Sequence, residues 1–155
     1  MSSKTVPPLV ALSNIATLTP AAVQGFALPL PLVSARVCAG FPSPAEDHVE
    51  ERIDLNAELV RHPLSTFFVR VVGDSMTEAG IHAGDLLIVD KAMPGSDSHI
   101  IVAVVNGDFC VRRFHSSGDG GISLHAANPH YPPIRITEGM DFEVWGRVMF
   151  IIRKA

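Results

Sequence analysis

A serine that directly follows a predicted strand is the first candidate for chemistry in this sequence. Ser75 comes after Gly73-Asp74, and residues 67–72 before that turn are almost all apolar, as in a buried strand. A hydroxyl presented on such a bend can act as a nucleophile, with backbone N–H groups nearby to face an oxyanion. Gly-Asp-Ser is also an ordinary turn composition, so these residues alone favour a structural turn, with Asp74 as a turn former.

The histidines offer two alternative sites. His82, with Asp85 and Asp90 beyond it, could complete a serine–histidine–aspartate triad. Triad partners are recognised by geometry and not by closeness in sequence, so an exposed turn is the simpler interpretation of His82. His125 and His130 share one loop, but no acid or cysteine is paired with them there, which disfavours a metal site.

The charge balance disfavours a chain that grips DNA by itself. The 155 residues hold 12 basic and 16 acidic side chains, for a net charge of −4, whereas phosphate binding needs clustered lysine and arginine. Any link to nucleic acid should therefore run through a protein partner. Cys38 and Cys110 are distant and form no CxxC motif, and no apolar run approaches the ~18 residues of a membrane helix. We expect a cytoplasmic protein without membrane span, metal or cofactor.

Two regions of the chain differ in texture. Residues 1–40 hold one lysine, one arginine, no acidic residue and no regular period, which predicts an extended N-terminal arm. Residues 41–155 are predicted to form a β-rich domain with one short helix within residues 48–60. The strands are predicted at residues 67–72, 86–90, 100–105, 108–114, 122–124, 134–136 and 142–152. Asn106-Gly107 is a strong hairpin signal, and strands this closely spaced indicate a mainly antiparallel β fold.

The motifs around Ser75 resemble the LexA/UmuD-type family of self-cleaving serine–lysine peptidases, and its UmuD branch in particular. The matching segments, in order, are residues 39–45, 51–56, 73–76, 80–81, 84–89 and 102–114. This resemblance covers residue 40 to the C-terminus and implies a LexA/UmuD-type β domain with Ser75 as nucleophile. It also implies a self-cleavage site between Ala39 and Gly40. LexA itself fits less well, because a helix-turn-helix domain needs more chain than the first 40 residues provide.

At the position of the family's general-base lysine, this sequence has Arg112. Arginine keeps its proton in proteins and cannot act as a base, so we expect self-cleavage to be absent or very slow. Four explanations stay open: a natural inactive relative that works as a binding protein, an altered copy of an active enzyme, rescue by another group such as Lys91, or a misjudged register. The strand period alone does not say whether Arg112 or Arg113 points at Ser75.

The resemblance implies a homodimeric accessory and regulatory subunit of a translesion DNA polymerase in the SOS response to DNA damage. The implied partners are a UmuC-type Y-family polymerase and the RecA filament. The apolar residues 26–33 of the arm are a candidate contact with the sliding clamp, unless they pack on the domain or on the twin subunit. Two rival functions are a competent serine–lysine autopeptidase and a truncated phage-type repressor that forms mixed dimers.

Overall fold

The computed structural model describes residues 15–20, 27–33 and 49–155. Ten strands and one short α-helix follow one another in these residues. Their bounds are β1 Ile15–Pro20, β2 Leu30–Val33, β3 Val49–Ile53, α1 Leu55–Leu59, β4 Thr66–Val71, β5 Leu86–Asp90, β6 Ile100–Val105, β7 Asp108–Ser116, β8 Ile122–His125, β9 Ile134–Ile136 and β10 Phe142–Ile152. A 3₁₀ turn, Thr77–Ala79, lies between β4 and β5. The seven strands predicted from residue 67 onward are confirmed as β4 to β10, and the short helix as α1.

Eight of the strands form one sheet, in the order β1-β4-β5-β10-β6-β7-β8-β9, while β2 and β3 form a separate pair. Every pairing is antiparallel. The expected mainly β fold is therefore confirmed. Residues of β1 also approach β7, so the sheet curls enough to bring β4 and β7 to the same region.

The hairpin between β6 and β7 sets the position of the arginine pair. Asn106 and Gly107 both have positive φ angles, 50° and 89°, as the two central residues of a type I′ hairpin turn require. From this turn the register runs without a shift and pairs Ile101 with Arg112. Arg112 therefore lies deep within the sheet and not at its edge.

Among the residues that the structure describes, apolar side chains pack into two buried clusters. The first joins Met76 and Ile81, from the segment after β4, to strand residues that include Val69, Val111 and Trp145. The Trp145 ring lies 4.9 Å from that of Phe67 on β4 and 5.7 Å from that of Phe109 on β7, measured between centroids. The second cluster is built by Ile101, Ala103, Val105, Cys110, Phe114 and Leu124. Because Met76 is buried in the first cluster, the residue before it, Ser75, is held in place by the core.

The long strand β10 carries two irregularities. It pairs with β6 on one side and β5 on the other, and its register shifts between Val144 and Gly146 and again between Val148 and Phe150. A Cβ on Gly146 would lie 2.7 Å from Val89 Cγ1 and 3.2 Å from the Asp90 carbonyl oxygen. A glycine is therefore required where the central strand bends against β5.

Part of the predicted arm is strand. β1 adds to the edge of the main sheet beside β4, and β2 pairs with β3, neither of which the sequence predicted. The predicted scissile bond, Ala39-Gly40, lies outside the described residues, as does Cys38. The division into an arm of residues 1–40 and a domain of residues 41–155 stays a prediction. Within the described ranges, no helix is long and apolar enough to cross a membrane.

Candidate functional site

The turn that carries Ser75 is held by a glycine with a positive φ angle and by a backbone hydrogen bond to a loop that is distant in sequence. Gly73, two residues after the end of β4, has a φ of 78°, a conformation that favours glycine because it has no Cβ. Ser75 is only 3% exposed. Its carbonyl accepts the N–H of Ala127 at 2.9 Å, which ties the turn to the loop after β8. The candidate nucleophile is therefore buried and fixed through both its neighbour Met76 and its own backbone.

The side chain that meets Ser75 is Arg112. Its Nη1 donates to Ser75 Oγ at 2.8 Å and to the Val111 carbonyl at 2.8 Å, and the whole residue is 3% exposed. Arg113 instead donates to the Ser98 carbonyl at 2.7 Å, in an exposed contact. The structure thus distinguishes the two arginines that the strand period left equivalent.

Burial is the main influence on the charge of Arg112. It lowers the pKa of the guanidinium, while Cys110 and Tyr131 act weakly in the opposite direction. The guanidinium carbon also lies 5.8 Å from the centre of the Tyr131 ring, a cation–π arrangement that favours the charged form. Arginine keeps its proton in proteins even where burial lowers its pKa, so the guanidinium of Arg112 remains charged at neutral pH. The site thus pairs a serine with a donor that cannot take its proton.

The loop between β8 and β9 contacts both Asp74 and the guanidinium of Arg112. The Tyr131 hydroxyl donates to Asp74 Oδ1 at 2.6 Å, and Asn128 Nδ2 donates to the Asp74 carbonyl at 2.9 Å. The bond to Asp74 raises the pKa of Tyr131 above its ordinary value. The sequence analysis did not anticipate these contacts, because 57 residues separate Tyr131 from Asp74 and no local pattern links them.

The acids considered for a triad have other partners. Asp85 is 1% exposed, and Arg153 donates to both of its oxygens, through Nε at 2.6 Å and through Nη2. The backbone N–H of His82 donates to Asp85 Oδ2 at 2.8 Å. The bonds from Arg153 hold the pKa of Asp85 below its usual value, although burial alone would raise it. Asp85 therefore fastens the C-terminal end of the chain to the turn before β5 and does not orient the imidazole of His82.

Asp90, at the end of β5, is also buried and bonded. Its carboxylate contacts His62 Nδ1 and accepts from Ser65 Oγ at 3.0 Å and from the Ala92 N–H at 2.8 Å. Burial alone would raise the pKa of Asp90, but these hydrogen bonds outweigh it and the pKa lies below its usual value. The geometry indicates a structural role for this carboxylate.

The remaining histidine and lysine candidates lie in different settings. His125 stacks edge-on against His115, with ring centroids 4.3 Å apart, and its Nε2 is 2.9 Å from Ser123 Oγ. No group of metal-ligating side chains is found in the part of the chain that the structure describes. The Nζ atom of Lys91 lies 4.7 Å from the centre of the Trp145 ring, a cation–π arrangement.

A buried serine at the first turn after β4, with a basic residue of the β6–β7 hairpin against it, is the arrangement expected from the resemblance to the self-cleaving serine peptidases. The family model described as Peptidase S24-like matches residues 31–149 of this sequence. The chain therefore belongs to the Peptidase S24-like family, of LexA/UmuD type.

Individual relatives agree with the family match. Protein SamA of Salmonella typhimurium is 44% identical over 124 residues, which cover 80% of this chain and 85% of that protein. Protein MucA of Escherichia coli is 42% identical over 120 residues, with coverages of 77% and 81%. The LexA repressor of Shewanella baltica is 38% identical over 125 residues, 80% of this chain but only 59% of that protein. The resemblance stated from the motifs is thus confirmed.

Proposed function

We propose that this chain is an SOS-response mutagenesis protein of UmuD type, a dimeric accessory and regulatory subunit of a translesion DNA polymerase. Its self-cleavage at Ala39-Gly40 is impaired because Arg112 occupies the position of the general base. The similarity to SamA and MucA along most of their length supports the assignment to this branch. A UmuC-type Y-family polymerase and the RecA filament are the partners, and the sliding clamp is a candidate contact of the arm.

The observation that carries the impaired cleavage is the bond from Arg112 Nη1 to Ser75 Oγ at 2.8 Å. A serine needs a neighbouring base to become a nucleophile, and a lysine supplies one only when burial releases its proton. The guanidinium occupies that buried position and donates a hydrogen to the serine oxygen, so the hydroxyl keeps its own proton. The intact form is therefore the stable state of the protein, in which it acts by binding.

Rescue by Lys91 is disfavoured by its surroundings. Its ammonium lies over the rings of Trp145 and Phe67, at 4.7 and 5.8 Å from their centroids. These cation–π contacts hold Lys91 at the two rings, whereas a general base must lie within hydrogen-bond reach of the serine that it activates. Lys154 is exposed beside Arg153 at the C-terminal end.

Intact-mass measurement of the purified chain and its Arg112→Lys variant tests this proposal. We expect the wild-type chain to keep its full-length mass during prolonged incubation at alkaline pH or with activated RecA filament. Arg112→Lys should be clipped between Ala39 and Gly40, and faster as pH rises, because a larger fraction of the lysine is then neutral.

Two matched variants complete the cleavage experiment. Arg113→Lys makes the same substitution one residue away, at a half-buried position whose side chain bonds the Ser98 carbonyl instead of Ser75, and should stay intact. The double variant Ser75→Ala, Arg112→Lys should also stay intact, because it lacks the nucleophile. Clipping of the wild-type chain at Ala39-Gly40 would overturn the impaired-cleavage proposal, and an uncut Arg112→Lys chain would overturn the role assigned to Ser75.

Co-purification tests the partnership separately from the chemistry. A tagged chain should elute as a dimer by light scattering and retain a UmuC-type polymerase expressed with it. Retention of a full-length LexA-type repressor in place of the polymerase would favour the rival function, a mixed-dimer inhibitor of repressors.

A further inference from the structure

A cavity of about 400 Å³ lies beside β8 and β9, and neither Ser75 nor Arg112 lines it. Its volume falls within the roughly 300–1,000 Å³ that is typical of small-molecule sites. His125 of β8 and Arg135 of β9 line it with nitrogen donors. Three hydroxyl side chains line it as well, those of Ser117, Ser123 and Thr137. The cavity is therefore lined by groups that can donate hydrogen bonds to an acceptor-rich ligand.

The register of the sheet groups these side chains on one face. Ser123 pairs with His115 of β7 on one side and with Arg135 of β9 on the other. Residues that lie directly opposite one another on antiparallel strands project to the same face, and so does His125, two residues after Ser123. The rings of His115 and His125 are in contact, with centroids 4.3 Å apart. Three neighbouring strands thus build one cluster of basic side chains beside the cavity.

The guanidinium of Arg135 lies at this cavity without a counter-ion. The residue is exposed, and none of the ion pairs among the described residues involves it. One acid, Asp119, also lines the cavity. Its carboxylate is already bonded within its own turn, where it accepts from Ser117 Oγ and from the Gly121 N–H. A bound anion would therefore find Arg135 available to donate.

The cations around His125 act on its own charge. Burial lowers the pKa of His125, and the neighbouring His115 and Arg135 lower it further. One acid contacts the histidine pair from the loop before β6, where Asp97 Oδ1 lies 3.4 Å from His115 Nδ1. An anion between His125 and Arg135 would attract the proton that these cations repel. By linkage, such an anion must bind more tightly as the pH falls and His125 gains its proton.

The donors favour a phosphate group over a carboxylate. They come from two strands and the turns that flank them, whereas a carboxylate presents only two coplanar oxygens to its donors. A phosphate monoester presents three acceptor oxygens around a tetrahedral centre and carries between one and two negative charges near pH 6. The cavity also leaves room for a group attached to the phosphate.

We propose that the cavity beside β8 and β9 is a phosphate-binding site, in which Arg135 and protonated His125 hold inorganic phosphate or the phosphate of a small monoester such as a mononucleotide. The hydroxyl of Ser123, 2.9 Å from His125 Nε2, positions that imidazole. His115 supports it from the neighbouring strand. The site goes beyond the proposed function, since it needs neither cleavage of the arm nor a polymerase partner.

Nuclear magnetic resonance of the histidine ring C–H groups in the full chain tests this proposal. The His125 signal is assigned by its absence in His125→Gln. The probes are sulfate, whose charge does not change between pH 6 and pH 8, inorganic phosphate, adenosine monophosphate, adenosine and acetate. We expect sulfate to shift the His125 signal and to bind about tenfold more tightly at pH 6 than at pH 8, because binding takes up a proton. Sulfate should also raise the pKa of His125.

Matched variants separate this site from general charge effects. Arg135→Gln should weaken the binding of sulfate at least about tenfold, because a charge-assisted hydrogen bond is lost. Arg61→Gln removes the same charge from another exposed arginine and should bind sulfate as the wild-type chain does. His125→Gln should lose most of the pH dependence, since the group that takes up the proton is gone.

The titrations also distinguish the two sources of the phosphate. Saturation by adenosine monophosphate at a much lower concentration than by inorganic phosphate, with adenosine inert, identifies a nucleotide-like monoester, and equal saturation identifies the free ion. The proposal is overturned if neither sulfate nor phosphate moves the His125 signal at pH 6, if acetate acts as strongly as sulfate, or if Arg135→Gln binds sulfate as the wild-type chain does. None of these outcomes bears on cleavage or on a polymerase partner, so the proposed function is tested separately.

Discussion

Tyr131 donates its hydroxyl hydrogen to Asp74 across 2.6 Å, and so fastens the loop after β8 to the residue that precedes Ser75. The ring of the same tyrosine faces the guanidinium of Arg112. One side chain therefore touches both the serine turn and the strand that carries the arginine. We expect it to position the site without taking part in any proton transfer.

Replacement of the hydroxyl alone tests this positioning role. Tyr131→Phe keeps the ring over Arg112 but removes the bond to Asp74, so the serine turn should loosen. We expect a lower urea midpoint by circular dichroism and, in the Arg112→Lys background, slower clipping with an unchanged pH profile. Asp74→Ala should have a similar effect, and the double variant should be no worse than the more affected single variant. Fully additive losses would contradict the pairing.

The ion pair between Asp85 and Arg153 predicts how the stability of the fold depends on pH. The folded pKa of Asp85 lies below its ordinary value, first because of the bonds from Arg153. The stabilisation is therefore fully present above about pH 4, the pKa of an unfolded aspartate, and is lost as pH falls through the lower folded pKa. Arg153→Met should lower the melting temperature at neutral pH and shift acid unfolding to higher pH. Lys154→Met removes a neighbouring charge and is the control. If it lowers the melting temperature as much as Arg153→Met does, the stabilising role of the Asp85–Arg153 ion pair is refuted.

The close packing around Gly146 predicts that β10 tolerates no side chain at this position. In Gly146→Ala the added carbon would press on Val89 Cγ1 and on the Asp90 carbonyl, at 2.7 and 3.2 Å. We expect a loss of about 1–3 kcal/mol in the free energy of unfolding, which is typical of overpacking. Gly118→Ala meets nothing within 4 Å and is the matched control, with a change within about 0.5 kcal/mol. Equal denaturation midpoints for the two variants would show that the bend tolerates a side chain.

Cys110 should be chemically inert while the chain is folded. It is fully buried, and burial raises the pKa of its thiol to about 11, so the thiolate is scarce at neutral pH. In a Cys38→Ser background, alkylation followed by mass spectrometry should be slow at pH 8 and reach the unfolded rate only in denaturant. Rapid labelling of the native protein at pH 8 would mean that the strand β7 opens readily.

The strands of the domain could be predicted because their signals are local. Short apolar runs bounded by glycine, proline or asparagine mark β4 to β10, and Asn106-Gly107 fixes one hairpin. β3 is different, since Glu50, Glu51 and Arg52 give it no apolar period and its strand form depends on pairing with β2. The sequence also could not predict which strands pair with β10, because β5 and β6 lie far from it in the chain.

The candidate site was predictable only in part. The motif order predicted Ser75 and Arg112, whereas the strand period alone could not say whether Arg112 or Arg113 points at Ser75; that needed the contacts of the folded chain. Tyr131 could not be found, since its only sequence signal is a turn with two prolines. The pairing of Asp85 with Arg153 could not be predicted either, because an aspartate before a strand gives no sign that it is buried.

Trp145 is the only tryptophan in the sequence, and it lies where β4, β7 and β10 meet, between the rings of Phe67 and Phe109. Its fluorescence therefore comes from one known place, next to the strands that carry both halves of the candidate site. Any variant whose emission maximum matches that of the wild-type chain retains this junction. The protein thus contains its own optical probe, without an attached dye.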